Sequence, residues 1–279
     1  MSLPTYTACR YALPLREGGS LPAVVDTEEA GLFAVKFRGA GQGARALVAE
    51  VIVARLAQLL GLPVPEPALV HLEQGFGRSE PDPEVQDILR GSRGVNVGLR
   101  FLEGAFTYDP VAVADRVPAR LAADIVWLDA LTTNIDRTPR NPNILLWEGA
   151  IWLIDHGASL YFHHNWDTVD RERAQSPFPP ISQHVLLPIA GDLVEADDRL
   201  APRLTEEILR SVLADIPDAL LMDAPAGQQP PFETPEANRA AYLDYFLARL
   251  AGPRAFAEEA ARAQERQRGE NPQMMEYRR

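Results

Sequence analysis

The sequence is short of cysteine and lysine, and it has no long apolar run. Cys9 is its single cysteine, which excludes an internal disulfide and leaves no set of thiolates for a structural zinc site. No apolar stretch approaches the roughly 18 residues of a membrane-spanning helix, and no basic segment followed by an apolar one marks a secretory leader. We therefore expect a soluble protein in a reducing compartment, the cytoplasm, with no membrane partner.

Basic charge is also scarce. The chain has 27 basic residues against 39 acidic ones, so its formal net charge is −12. A surface with this excess of carboxylates repels phosphate backbones and anionic lipids, and we expect no nucleic-acid partner. Hydrophobic residues nevertheless make up 46% of the chain, which is typical of a folded globular protein. A length of 279 residues suits one large domain or two lobes that share a cleft.

Lys36 is the only lysine among the 27 basic residues, and it lies inside the apolar run 31–37. A general bias toward arginine explains the arginines but not the position of this lysine. Arginine ends in a broad planar fork, whereas lysine is a compact point charge on a thin stem. A buried site beside a phosphate can require the second and reject the first. We therefore predict that Lys36 has a function.

The N-terminal part of the chain has the pattern of strands, and the C-terminal part has that of helices. Strands are predicted at 21–25, 31–37, 64–72 and 96–102, with a helix at 44–60 and a polar loop at 73–91. Helices at 119–133, 204–215 and 236–250 and a hairpin of 144–147 with 151–154 are predicted next. The fold class is therefore α+β, with a small, mostly-β N-terminal lobe (1–103) and a larger, mostly-α C-terminal lobe (104–254). The charged segment 255–279 lacks an apolar stripe, so we expect a loosely held helix or tail.

Carboxylate and amide side chains follow Lys36 along the sequence in an order that suits phosphoryl transfer. Glu50 lies on the apolar face of the helix that follows Lys36, and a buried carboxylate needs a partner. Asp136 opens a polar loop that ends at a predicted strand, and Asp155 follows the next strand along the chain. Phosphoryl transfer uses a lysine on the phosphates, a carboxylate that holds it, an Asp at the attacking hydroxyl, and an Asn and a second Asp on magnesium.

These segments and two others follow one another in a characteristic order. They are Gly18–Pro22, Ala34–Lys36, Glu50–Pro65, Phe101–Gly104, Asn134–Arg137 and Ile154–Gly157. The order and the separations resemble the protein-kinase-like superfamily and, within it, the HipA-like kinases. Each motif alone is weak evidence, and the resemblance rests on the whole set. It covers roughly residues 11 to 250.

The resemblance implies a bilobal kinase-like fold that binds ATP and Mg²⁺ between the lobes. It implies that Lys36 and Glu50 position the phosphates. Asp136 would orient the acceptor hydroxyl, and Asp155 would bind magnesium together with an asparagine. Two weaker parts of the pattern complete the nucleotide site. They are Gly18, Gly19 and Ser20 as the phosphate-binding loop and Glu103 in the hinge that holds the adenine.

The magnesium-binding asparagine has two candidates. In kinase catalytic loops it comes five residues after the Asp and directly before a strand. Asn141 satisfies the count from Asp136, while Asn143 satisfies the position before the strand. We favour Asn143, because strand geometry fixes the direction of a side chain better than counting does. Asn141 remains the alternative.

The resemblance implies transfer of the γ-phosphate to a hydroxyl, with protein Ser/Thr as the family expectation and a small-molecule alcohol as the alternative acceptor. A different class of function is a non-catalytic nucleotide-binding scaffold, although a scaffold need not retain Asp136. Full HipA toxins carry an additional N-terminal subdomain, and here only about a dozen residues precede the first strand. We therefore do not expect an antitoxin partner.

Overall fold

The structure is a computed structural model that describes residues 2–15, 21–41, 43–78, 80–224 and 227–270, without the side chains of residues 115 and 270. The strands are β1 (Thr5–Pro14), β2 (Ala23–Thr27), β3 (Gly31–Lys36), β4 (Pro67–Leu72), β5 (Gly94–Arg100), β6 (Phe106–Thr107), β7 (Ile144–Trp147) and β8 (Ala150–Leu153). The helices are α1 (Gly43–Leu60), α2 (Pro83–Gly91), α3 (Ala119–Leu131), α4 (Arg171–Ala174), α5 (Leu193–Leu200), α6 (Glu206–Ala214), α7 (Asp218–Leu221), α8 (Pro235–Leu250) and α9 (Ala255–Glu270). The α+β class is confirmed. The proposed phosphate loop of Gly18, Gly19 and Ser20 lies outside the described residues.

The N-terminal strands close into a barrel rather than an open sheet. Their order is β1–β2–β3–β5–β4, and a short parallel pairing of β1 with β4 closes the ring, with Thr5 opposite Leu69. Because side chains alternate along a strand, one face of each strand supplies the interior. Phe33, Val35 and Val70 are fully buried there. The alternation also places Lys36, which follows Val35, on the opposite face of β3.

Helix α1 lies against β4 and β5 and also contacts α6 and α7, so it links the barrel to the helical part of the chain. Most of its side chains are buried, including Glu50. A helix that is apolar on most of its circumference is buried on all sides. The helix predicted at 44–60 is therefore confirmed. Because Glu50 is buried within it, the carboxylate of Glu50 needs a partner.

The C-terminal part is mostly helical and contains a small second sheet. That sheet has the order β6–β7–β8, with β7 and β8 forming the predicted hairpin. Helix α3 is buried along most of its length and packs against α5 and α9. It ends at Leu131, and the polar loop with Asp136 follows directly. No helix in the described ranges is long and apolar enough to cross a membrane.

Two segments differ from the sequence predictions. The predicted polar loop 73–91 contains helix α2, which begins with an N-cap at Asp82, whose side chain accepts a hydrogen bond from the amide of Glu84. Only Leu89 of this helix is buried, so its apolar stripe was too narrow to see. The segment predicted as a loosely held helix or tail is helix α9 over its described part, and it is packed rather than loose, with Phe256, three alanines and Gln264 buried. Small residues let this charged helix pack closely. The lobe boundaries near residues 103 and 254 remain predictions.

Candidate active site

Lys36 lies between two carboxylates that come from different parts of the chain. Its Nζ donates to Oε2 of Glu50 at 2.7 Å and also pairs with Oδ1 of Asp155. Glu50 Oε2 additionally accepts from the backbone N–H of His156 at 2.8 Å. The strand lysine, the α1 carboxylate and the segment after β8 therefore meet at one point. The predicted ion pair between Lys36 and Glu50 is confirmed.

The charges in this cluster stabilise one another. Burial by itself lowers the pKa of Lys36, but the carboxylates of Glu50 and Asp155 outweigh burial, and the pKa is raised. Burial likewise raises the pKa of Asp155, yet the Lys36 ammonium outweighs it and the pKa is lowered. Both groups are therefore ionised at neutral pH. A buried pair of this kind adds little net stability, so its value lies in the geometry it fixes.

The hairpin explains why Asn143 and Asp155 are neighbours. In the antiparallel register Ile144 pairs with Leu153, so the residue before β7 lies beside the residues after β8. The amide of Ile154 donates to the carbonyl of Asn143 at 3.0 Å. Asn143 and Asp155 both have positive φ, 49° and 52°, a conformation that Asn and Asp tolerate better than most residues. Each side chain thus leaves the sheet at a sharp change of backbone direction.

Asp136 is held by the two candidate asparagines. Its Oδ2 accepts from Nδ2 of Asn141 at 2.7 Å and from Nδ2 of Asn143 at 3.1 Å. Asn143 is nearly buried, whereas Asn141 is exposed. Because both amides donate through nitrogen, neither bond uses the amide oxygen. The amide oxygen of Asn143 therefore takes no part in this contact. Asn143 itself is fixed directly before the start of β7.

The two halves of the site are joined by Arg137, which sequence reasoning missed. The structure buries its guanidinium, which donates to the carbonyls of Asn143 and Ile154 and to Nδ1 of His156. The bonds to Ile154 and His156 are both 3.2 Å long. One side chain thus bridges the backbone that carries Asn143 and the backbone that carries Asp155.

Arg137 in turn is balanced by Asp129, a second residue that sequence reasoning missed. Nε of Arg137 donates to Oδ2 of Asp129 at 2.6 Å, and both side chains are essentially inaccessible to solvent. Burial raises the pKa of Asp129, but the charge of Arg137 and a hydrogen bond from His184 outweigh it and lower the pKa strongly. A lone Asp inside the apolar stretch 125–131 was the signal that could have revealed this pair. His184 offered no such signal.

The remaining predicted site residue, Glu103, lies apart from these contacts in the turn after β5. Its side chain is exposed, and its carbonyl oxygen accepts a hydrogen bond from Nε1 of Trp147 at 3.0 Å. This bond fixes the backbone of the hinge to strand β7. The structure therefore fixes the backbone of Glu103 and leaves its side chain exposed.

The chemistry of the donors fits magnesium bound together with a phosphate. Within the described ranges, no group of three or more His, Cys, Asp or Glu side chains is arranged to hold a metal ion. Magnesium, however, usually takes one or two protein ligands and completes its shell with water and phosphate oxygens. Asp155 supplies a carboxylate and Asn143 an amide oxygen, both hard oxygen donors. These residues fit a magnesium ion that arrives with its nucleotide.

Comparison with known proteins identifies the family. The model of the HipA-like kinase family matches residues 13–229. The chain belongs to the HipA-like kinase family. The HipA-like kinase is also similar in structure to a Helicobacter pylori proinflammatory kinase, CtkA, with a TM-score of 0.53 and 14% sequence identity over 94% of this chain and 98% of that chain. At this identity the likeness shows a kinase-like fold and no more. The search of curated proteins found no match.

Family membership makes this HipA-like kinase a transferase of the kinase type. The membership of the HipA-like kinases that the ordered motifs indicated is confirmed. The family also implies the use of ATP and usually of a divalent metal.

Proposed function

We propose that this HipA-like kinase transfers the γ-phosphate of ATP, with Mg²⁺, to the hydroxyl of a serine or threonine in a protein. The observation that carries the proposal is the position of Lys36, charged and buried between Glu50 and Asp155. A charged lysine costs free energy to bury, and a purely structural core has no use for it. Beside a phosphate it supplies a fixed positive charge.

In this proposal Lys36 binds the phosphates and Glu50 holds the lysine in place. Glu50 does so through Oε2, which also accepts a hydrogen bond from the amide of His156. The same oxygen therefore binds both the lysine and the segment that carries Asp155. Asp155 and Asn143 would hold magnesium. The metal would neutralise the phosphate oxygens and draw charge from the bond that breaks.

Asp136 orients the acceptor hydroxyl. Its Oδ2 accepts from Asn141 and Asn143, while its Oδ1 takes part in neither bond. The carboxylate is therefore held at one oxygen and offers the other to a hydroxyl. In phosphoryl transfer a carboxylate at this position accepts the proton of the attacking hydroxyl. The neighbouring Ile135 is 45% exposed, so the loop presents an apolar contact beside the carboxylate.

The proposal is tested with Asp136→Asn, which keeps the size of the side chain and removes its charge. Transfer of radiolabelled phosphate from ATP to casein and myelin basic protein should fall about 10²–10⁴-fold, the usual contribution of a general base. Binding of a fluorescent ATP analogue should stay within a few-fold of the native value. Asp87→Asn, an exposed acid on α2 with a side-chain exposure of 73%, is the matched control and should change neither.

Two alternatives give different results in the same experiment. A nucleotide-binding scaffold would bind the analogue but show no transfer in the native protein, so Asp136→Asn would have nothing to remove. A small-molecule kinase would hydrolyse ATP slowly without labelling protein and would label an added alcohol. Label in phosphoserine or phosphothreonine that disappears in Asp136→Asn would support the proposal over both.

A further inference from the structure

His184 connects the segment after α4 to the buried ion pair of the site. Its Nε2 lies 2.8 Å from Oδ2 of Asp129, the same oxygen that accepts from Arg137. Its Nδ1 accepts from the backbone N–H of Leu186 at 3.0 Å. Because Nδ1 is an acceptor, the hydrogen of the neutral ring lies on Nε2, which therefore donates to Asp129. The tautomer is thus set by the chain itself.

A second bond links the same segment to the same arginine. The backbone N–H of Val185 donates to the carbonyl of Arg137 at 3.0 Å. His184 and Val185 therefore contact both members of the pair, one through its side chain and the other through its backbone. The segment cannot leave this position without breaking both contacts. Asp129, Arg137 and His184 are all buried, so water cannot easily replace the lost bonds.

Arg137 carries this connection to the proposed magnesium ligands. Its NH1 donates to the carbonyl of Asn143 and to that of Ile154, the residue before Asp155. The separation of these two carbonyls sets where Asn143 and Asp155 leave the hairpin. A shift of the guanidinium would change that separation. Groups that orient metal ligands without touching the metal typically alter its affinity 10–100-fold when they are removed.

We propose that Asp129, Arg137 and His184 form a positioning unit that makes tight binding of magnesium–nucleotide depend on the docking of the segment around His184. The proposal rests on the proposed function, since it assumes that Asn143 and Asp155 hold magnesium. His184 is a positioning residue: it acts through Asp129 and Arg137 and reaches no substrate atom. A docked segment keeps the arginine in place, and a displaced one loosens it.

The need to neutralise the charge of Asp129 does not explain why His184 is buried beside it. Asp129 is already neutralised by Arg137 and accepts a further hydrogen bond from Nδ2 of Asn134 at 3.0 Å. A neutral imidazole adds no charge to the pair. A buried polar network seldom makes a protein more stable than an apolar core would. We therefore expect that the network of Asp129, Arg137 and His184 serves to fix the geometry of the site.

The test uses two substitutions that each keep a different half of the imidazole. In His184→Gln the amide nitrogen lies near the position of Nε2 and can still donate to Asp129. In His184→Asn the side chain is too short to reach Asp129, although its oxygen can replace Nδ1 as the acceptor for Leu186. The magnesium concentration that gives half-maximal binding of a fluorescent ATP analogue is measured for both. It should rise about 10–100-fold in His184→Asn and stay within a few-fold of native in His184→Gln.

The native protein provides a measurement that does not depend on either variant folding. Because coupling between two sites is reciprocal, binding of magnesium with a non-hydrolysable ATP analogue should slow hydrogen exchange at the amides of Val185 and Leu186. The analogue without magnesium should have a smaller effect. Equal protection with and without magnesium, or no protection at all, would overturn the proposal.

The outcomes separate this inference from the function on which it rests. If the native protein fails to bind magnesium–nucleotide, the proposed function fails. If the native protein binds but His184→Asn binds magnesium–nucleotide equally well, the function survives and the positioning unit is rejected. If His184→Gln is as impaired as His184→Asn, the hydrogen bond to Asp129 is not the cause, and the inference is again rejected.

Discussion

Gly157 lies so close to Lys36 that a side chain there would crowd the ammonium group. A Cβ placed on Gly157 would lie 3.1 Å from Nζ of Lys36 and 3.4 Å from Cβ of Ala46. The backbone angle of Gly157 does not require glycine, since its φ is not in the left-handed region. Close approach is therefore the reason for glycine here. The segment after Asp155 is packed directly against the lysine that we propose for phosphate binding.

Gly157→Ala should weaken nucleotide binding without unfolding the protein. The added methyl must displace Nζ of Lys36 or shift the segment by a few tenths of an ångström, and the ammonium then no longer fits both carboxylates. We expect affinity for a fluorescent ATP analogue to fall about tenfold, equal to about 1.4 kcal/mol. Gly41→Ala is the matched control, because a Cβ there meets nothing within 4 Å. Unchanged affinity in Gly157→Ala would show that the close approach has no function.

The ordered motifs were enough to predict the family and the pairing of Lys36 with Glu50. That pairing was predictable because two charged residues occur on otherwise apolar elements, and burial forces them to meet. The sequence also placed Asp136 and Asn143 in one polar loop, although it did not predict the hydrogen bond between them. The shared loop is a local feature of the sequence, and the Lys36–Glu50 pairing follows from one physical constraint, the cost of burying an unpaired charge.

The long-range contacts could not be predicted in the same way. Asp129, Arg137 and His184 come from a helix, a loop and a distant segment, and no spacing relates them. Their connection depends on how the segment after α4 folds back onto the loop, which is a property of packing. The closure of the barrel by β1 and β4 is another such property, since a parallel pairing of three residues has no sequence signature.

Asn143 should matter more than Asn141 for magnesium. Asn143 is nearly buried and fixed at the start of β7, whereas Asn141 is exposed. Asn143→Gly removes the amide and tolerates the positive φ, and Asn141→Gly makes the same change at the alternative position. The magnesium concentration for half-maximal analogue binding should rise about tenfold or more in the first variant and less in the second. A larger effect of Asn141→Gly would assign the metal to Asn141 instead.

Acid should destabilise the protein through its buried histidines. Burial lowers the pKa of His163 well below its ordinary value of 6.5, and the neighbouring His164 and Arg45 lower it further. The unfolded chain therefore takes up a proton at a higher pH than the folded one does. The stability that a neutral His163 contributes is present above pH 6.5 and is lost as the pH falls toward the folded pKa.

His163→Asn removes this proton uptake and keeps a polar atom near Nδ1, which lies 2.9 Å from the hydroxyl of Tyr242. Denaturant unfolding of both proteins is compared at about pH 7.5 and about pH 5.5. The native protein should lose roughly 1.4 kcal/mol more than the variant between these values. The variant is expected to be less stable than native at the higher pH because it is smaller. An identical loss in the two proteins would show that His163 is protonated equally in the folded and unfolded states.

The most direct test of the account is thermal unfolding with and without magnesium–ATP, for the native protein, Asp155→Ala and the control Asp87→Ala. Ligand at about 100 times its dissociation constant should stabilise the native protein and the control by roughly 2.7 kcal/mol. Asp155→Ala should show little or none of this stabilisation. No shift in the native protein, or a full shift in Asp155→Ala, would contradict a magnesium–nucleotide site between Lys36 and Asp155.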